Sequence, residues 1–107
     1  MKGDLTTLLP NLKHPIIMAP MFLVSNNAMI IEATKNGITG AIPALNYRTS
    51  KDLEDGILEL KEKCTGPFGI NLIVNKSNIY FNDQLEICCR LKVDYIITSL
   101  GFPEETI

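Results

Sequence analysis

Four short apolar runs, HPIIMAPM (14–21), ITGAIPAL (38–45), FGINLIV (68–74) and VDYIITSL (93–100), recur along the chain with helix-patterned segments between them. No other feature restricts the fold so strongly. The runs are rich in Ile and Val and bounded by Pro, Gly, Asn or Asp. Their apolarity is mostly continuous rather than alternating, the pattern of strands in a parallel sheet covered on both faces. Strand and helix in alternation with short connections give right-handed βαβ units and an α/β fold with a parallel sheet. An open doubly wound sheet and a closed (β/α)8 barrel both use that unit. The sequence has neither GxGxxG nor a GxxxxGK segment followed by Ser or Thr, which takes support from the nucleotide-binding open sheets.

The intervening segments carry helix signals. In SNNAMIIEATKNG, Ser25 or Asn26 caps the start, Met29, Ile30 and Ala33 share a stripe, and Gly37 closes the end where a left-handed residue is wanted. In the second segment Leu53, Ile57, Leu60 and Cys64 recur at helical spacing, with Thr49 or Ser50 as cap and Gly66 beyond the end. The third, NDQLEICCRLK, brings Leu85, Cys88 and Cys89 together at i, i+3 and i+4, so that both cysteines read as small core residues. After the fourth run, Pro103, Glu104 and Glu105 resemble the first turn of a further helix. A complete barrel takes about 250 residues. Residues 1–107 therefore read as a single amino-terminal half-barrel unit, with open strand edges and an uncovered apolar face through which copies would self-associate.

Composition narrows the function classes. A formal net charge of -2 with no basic stripe argues against nucleic acid as a partner. No run approaches the roughly 18 apolar residues of a membrane span, and Asp4 and two prolines interrupt the start where a signal peptide needs an apolar core. A cytoplasmic location is the expectation. Three cysteines without a CxxC pair or nearby histidines fit a reducing compartment better than a disulfide framework or a zinc site, and no metal is expected.

In parallel α/β folds the ligand site lies beyond the carboxyl ends of the strands. That rule gathers Ala19-Pro20-Met21-Phe22, Pro43-Ala44-Leu45-Asn46, Asn71 with Asn75, and Thr98-Ser99-Leu100-Gly101, and sends His14 to the opposite end. Amides, hydroxyls and apolar bulk meet there without a Ser/His/Asp set or paired carboxylates. Such a surface suits a flat, mostly apolar ligand edged with hydrogen-bonding atoms, of which a flavin ring is one. Asn71 stands out because it interrupts a buried run. With period 2 it shares a face with Gly69 and Ile73, opposite Phe68, Ile70, Leu72 and Val74. An unpartnered buried amide costs about 1–3 kcal/mol. Asn71 therefore faces a ligand or water, or bonds a neighbouring strand end; Gly69 beside it admits a close approach.

The strings PIIMAPM, SNNAMIIEATKNGITGAIPALN and PFGINLIV, in that order and spacing, resemble the opening of the nitronate monooxygenase (2-nitropropane dioxygenase) family, FMN-dependent (β/α)8 TIM-barrel enzymes, from about Lys13 onward. The resemblance implies that backbone at Ala19, Pro20 and Met21 runs beside the flavin and that Asn71 hydrogen-bonds FMN. Asn46, Ser99 and Gly101 are implied as further pocket positions. It implies flavin-mediated oxidation of alkyl nitronates, with an FMN-dependent enoyl-reductase-like branch as the alternative. The family's catalytic histidine sits in a glycine-rich segment with no counterpart here, and the phosphate-binding loops of such barrels follow the last two strands. No catalytic residue is therefore assigned, weak or absent FMN binding and no turnover are expected of these 107 residues alone, and whether the chain is an enzyme is left open. Two readings compete: a non-catalytic remnant, and a small α/β binding domain that takes a different ligand.

Overall fold

The computed structural model describes Leu9 and residues 12–101. Its elements are β1 (Ile17–Met18), α1 (Asn27–Lys35), β2 (Thr39–Pro43) running into a 3-10 turn (Ala44–Asn46), α2 (Ser50–Lys63), β3 (Gly69–Ile73), α3 (Phe81–Arg90) and β4 (Tyr95–Ser99). The four strands form one parallel sheet in the order β1-β2-β3-β4. β1 keeps only two residues of its apolar run because Pro15 and Pro20 flank it and cannot donate to a ladder. The further helix expected at Pro103, Glu104 and Glu105 lies outside the described residues, as does Asp4.

Each helix starts on a side-chain cap or its substitute. Asn26 accepts from the Met29 N–H at 2.9 Å to open α1, and Thr49 accepts from the Asp52 N–H at 3.0 Å to open α2. Tyr80 caps α3 with no side-chain bond. Asn78 does the work instead: its Oδ1 accepts from the Tyr80 N–H at 3.1 Å, and its Nδ2 donates to Ile73 O at 2.8 Å and Gln84 Oε1 at 3.1 Å. Gly37 ends α1 at φ +80, and its carbonyl accepts from the N–H groups of Lys13 and His14.

All three helices pack on one face of the sheet. Ile30 of α1, Leu53, Ile57 and Leu60 of α2, and Ile87 and Cys88 of α3 form one buried cluster with Ile42, Ile70 and Leu72 of the strands. A doubly wound sheet would divide its helices between two faces. Sequential parallel order with helices on one side is the winding of a (β/α)8 barrel, here a partial one. Cys64 ends up just past α2, half-buried, its backbone N–H donating to Leu60 O.

The stripe expected on α3 is corrected by one position. Gln84, Ile87 and Cys88 are buried, Leu85 is half-buried and Cys89 is exposed. With Gln84, Ile87 and Cys88 forming the buried stripe at i, i+3 and i+4, Cys89 lies about 100° beyond Cys88 and turns to solvent. A polar residue is tolerated at Gln84 because Asn78 takes its oxygen.

The second face of the sheet, expected to be covered as the first is, carries no helix among the described residues. Register and period 2 put Thr39, Ala41, Pro43, Gly69, Asn71, Ile73, Tyr95, Ile97 and Ser99 on it. Tyr95 lies across Gly69: a Cβ there would stand 2.2 Å from the ring. The close approach read from Gly69 is thus made by a neighbouring side chain. Beyond Gly69 the phenol reaches Thr39. The Thr39 hydroxyl donates to Pro67 O at 2.7 Å, so Tyr95 donates to Thr39 Oγ1 at 2.8 Å, with Gly40 O at 3.2 Å as a weaker acceptor. Among the described residues, no helix is long and apolar enough to cross a membrane.

Candidate functional site

At the carboxyl ends of the strands a crevice of about 440 Å³ opens between Pro20, Phe22, Pro43, Leu45, Asn71, Ile73, Ser77 and Leu100. Its walls are mainly apolar, and none of these side chains is ionisable. Asn71, 7% exposed, is its deepest polar group. The amide Nδ2 donates to Ile97 O at 2.9 Å and Ser99 Oγ at 3.1 Å. Since a carbonyl can only accept, the Ile97 contact fixes which end of the carboxamide faces β4. Both N–H groups are used, and Oδ1, with no donor among the described residues, is left for the crevice. Of the two roles read for Asn71, the neighbouring strand end takes its nitrogen while its oxygen remains available.

The chain after β1 is shaped by Asn46. Its Oδ1 accepts from the Leu23 N–H at 2.8 Å, and its Nδ2 donates to Ser25 O at 2.9 Å and Met21 O at 3.3 Å. Ser25, one of the two caps expected for α1, instead takes the Met21 N–H on its hydroxyl at 2.9 Å. This clamp holds Leu23 at φ 61, a left-handed conformation unusual for a branched side chain, and turns Phe22 out beside the crevice. Leu100, also at φ 61, stands at the crevice's β4 side. Leu23 and Leu100 are 75% and 70% exposed, so the rim is both apolar and backbone-strained.

A second network ties this rim to the helix layer. The Tyr47 hydroxyl donates to Asn27 Oδ1, and Asn27 Nδ2 donates to Glu59 Oε1 at 2.6 Å and Gly56 O at 3.0 Å. Burial, then the charge of Glu59, raises the Tyr47 phenol well above the ordinary tyrosine range. The hydrogen bond from Asn27, then Lys63, lowers the Glu59 carboxyl. Tyr47 therefore stays neutral and acts as a strut.

The expected site residues separate in space. Pro20 and Asn71 line the crevice, and Ser99 touches Asn71. Asn46 is spent on the loop that contains Met21. Ala19 is exposed outside the crevice lining, and Gly101 is exposed against Val74, where a Cβ would stand 2.8 Å from Cγ2. His14 is exposed ahead of β1, at the opposite end. Ile73 and Ser77 line the crevice without having been singled out. Ile73 was signalled by the face it shares with Asn71, whereas nothing in the composition of the loop after β3 marks Ser77. Among the described residues, no group of three or more His, Cys, Asp or Glu is placed to hold a metal.

No protein-family model matches the chain. A probable nitronate monooxygenase from Staphylococcus haemolyticus (strain JCSC1435) is 34% identical over 76 residues, covering 71% of this chain and 21% of the relative. Among solved structures, FabK from Thermotoga maritima superposes on the whole chain with a TM-score of 0.86 at 27% identity, using 33% of its own length. A mutant of that FabK gives 0.84 at 27% identity, with 100% of this chain and 35% of its own covered. The chain thus spans about a fifth of the curated relative and a third of the FabK chain. The resemblance to the nitronate monooxygenase family rests on the relative's name as well as on the strand-end motifs.

Proposed function

We propose that these residues supply the ring-binding wall of a flavin site in a nitronate monooxygenase-like, FMN-dependent oxidoreductase. One observation carries the reading: Asn71 Oδ1, its carboxamide locked by Ile97 O and Ser99, faces an apolar crevice as an acceptor without a donor among the described residues. The imide N–H on the edge of an isoalloxazine ring is such a donor. Pro20, Phe22, Leu45 and Leu100 would lie against the ring and exclude water from it. When bound, FMN supplies the redox chemistry by which an alkyl nitronate is oxidised with oxygen.

This chain's own part is positioning. Ser99 holds Asn71, and Asn46 holds the loop that turns Phe22 toward the crevice. No crevice side chain transfers a proton, and His14 lies at the wrong end to do so. The reading leaves proton transfer and phosphate binding to groups other than the crevice lining, and it predicts weak flavin binding through ring contacts. The likeness to FabK favours the enoyl-reductase-like branch as a second reading of the same crevice.

The test is a fluorescence titration with FMN and with lumiflavin, which lacks the phosphate. Because only ring contacts are at hand, the two should bind with equal, millimolar-range affinity, and Asn71→Leu should weaken both about tenfold, one hydrogen bond's worth. Unchanged binding in Asn71→Leu, or no binding of either flavin by the parent chain, would sink the reading.

A further inference from the structure

Across Leu45 from the crevice lies a second cavity of about 180 Å³, where the segment between β2 and α2 meets the start of α3. Leu45, Leu53 and the rings of Tyr47 and Tyr80 give it apolar walls, and Arg48, Ser50 and Gln84 its polar groups. Gln84 is the informative residue. It is 5% exposed, and its Oε1 is committed to Asn78 Nδ2 at 3.1 Å. That assignment is forced, because Asn78 Nδ2 also donates to Ile73 O and Asn78 Oδ1 accepts from the Tyr80 N–H. The opposite end of the Gln84 carboxamide, Nε2, is therefore the end left over. Among the described residues it has no acceptor, and no enclosed polar atom is left unsatisfied. Nε2 thus reaches the surface of the cavity that Gln84 lines. An NH2 group that reaches a cavity has its hydrogen-bonding capacity open to water or to a bound acceptor there, and the cavity is where an acceptor would fit.

The other groups there are donors too. Thr49 Oγ1 takes the Asp52 N–H and Thr49 O takes the Leu53 N–H, which leaves the first N–H of α2, on Ser50, without a partner among the described residues. Arg48 forms no ion pair among the described residues. The nearest acids in sequence, Asp52 and Asp83, are exposed and do not line the cavity. An amide, a guanidinium and a helix start thus line one cavity with no carboxylate in its lining.

We propose that this cavity binds a small oxyanion, the carboxylate of a short acid or inorganic phosphate, between Gln84 Nε2, the Ser50 N–H and Arg48. A carboxylate with a short apolar tail would lay that tail on Leu45 and Leu53, whereas phosphate would use the polar end alone. The site is independent of the flavin reading, since neither Gln84 nor Arg48 lines the crevice that holds Asn71.

The experiment is a nitrogen-15 NMR titration of the chain with sodium phosphate and, separately, sodium propionate, at ionic strength held constant with chloride. Saturable shifts are expected at the Ser50 amide and the Gln84 side-chain NH2, with dissociation constants in the millimolar range. Stronger binding of propionate would assign the apolar wall a role, and stronger binding of phosphate would assign the site to the polar end alone. Arg48→Gln should weaken the better ligand roughly tenfold, by loss of one charge-assisted contact. Gln84→Glu, which keeps the shape but turns the donor facing the cavity into an acceptor, should abolish binding. Absence of saturable shifts with both anions, or affinity unchanged by Arg48→Gln, would overturn the proposal. Arg48 is exposed, so that variant decides the matter even if Gln84→Glu fails to fold.

Discussion

The two faces of this sheet are made by the same strands and do opposite jobs. Toward the helices stand Ile42, Ile70 and Leu72, each at most 1% exposed and packed on the aliphatic side chains of α1, α2 and α3. On the other, inner face stand Thr39 with Tyr95 and Asn71 with Ser99, two hydrogen-bonded pairs each also tied to a backbone carbonyl. Apolar burial is non-directional, so the helix face can specify that the chain folds but not where any atom points. Hydrogen bonds are directional, and the inner face uses them to aim one oxygen, Asn71 Oδ1, into the crevice. Stability resides mainly on one side of the sheet and placement on the other.

The comparison predicts different consequences for damage to each face. The largest contrast is expected within α3, between neighbours of which one is in the core and the other in solvent. Cys88 is buried, and burial pushes its thiol up to about 12, whereas Cys89 is exposed. A thiol reagent at neutral pH should modify Cys89 at least about a thousandfold faster, because labelling Cys88 requires opening of the core. Peptide mapping of the modified sites checks this, and comparable rates would mean that the helix face is not closed. Ile70→Ala should cost about 3–4 kcal/mol in urea unfolding, from lost burial plus the cavity it leaves. Gly69→Ala, on the other face, should cost about 2 kcal/mol by driving a methyl into the Tyr95 ring. Combining it with Tyr95→Leu should recover part of that loss, since the two residues share one clash; simple additivity would show that the contact is not the cause.

Those residues also show what was legible beforehand. Strand positions and the caps of α1 and α2 depend on neighbours within a few places in sequence, and Asn26, Thr49 and Gly37 behave as their local patterns require. The carboxyl-end rule needed only the strand order, and it placed Pro20 and Asn71 at one crevice. Long-range partners were not legible. The roll of α3 depends on Asn78 satisfying Gln84, and the use of Asn46 depends on a loop 21–25 residues away along the chain. Gly69 announced a close approach without saying that Tyr95, from the next strand, makes it. Period and capping are local properties of a sequence, whereas an amide can be spent on any carbonyl that the fold brings near.

The smallest effect expected is also the one that isolates the inner face by pH. Burial, partly offset by the hydrogen bond to Thr39, raises the Tyr95 phenol above the ordinary tyrosine value. The folded state therefore holds that proton where the unfolded chain has lost it. The stabilisation is complete below the unfolded value of about 10 and is lost as pH rises through the folded value. Tyr95→Phe removes both the hydroxyl's bonds and its titration. At neutral pH the variant should be about 1 kcal/mol less stable, a typical net hydrogen bond. Above about pH 10 the two stability curves should draw together, because only the parent carries this proton. Urea midpoints measured from pH 7 to 11 test it. Parallel curves would mean that Tyr95 ionises freely, and that the bond network across Gly69 does not constrain the inner face as argued.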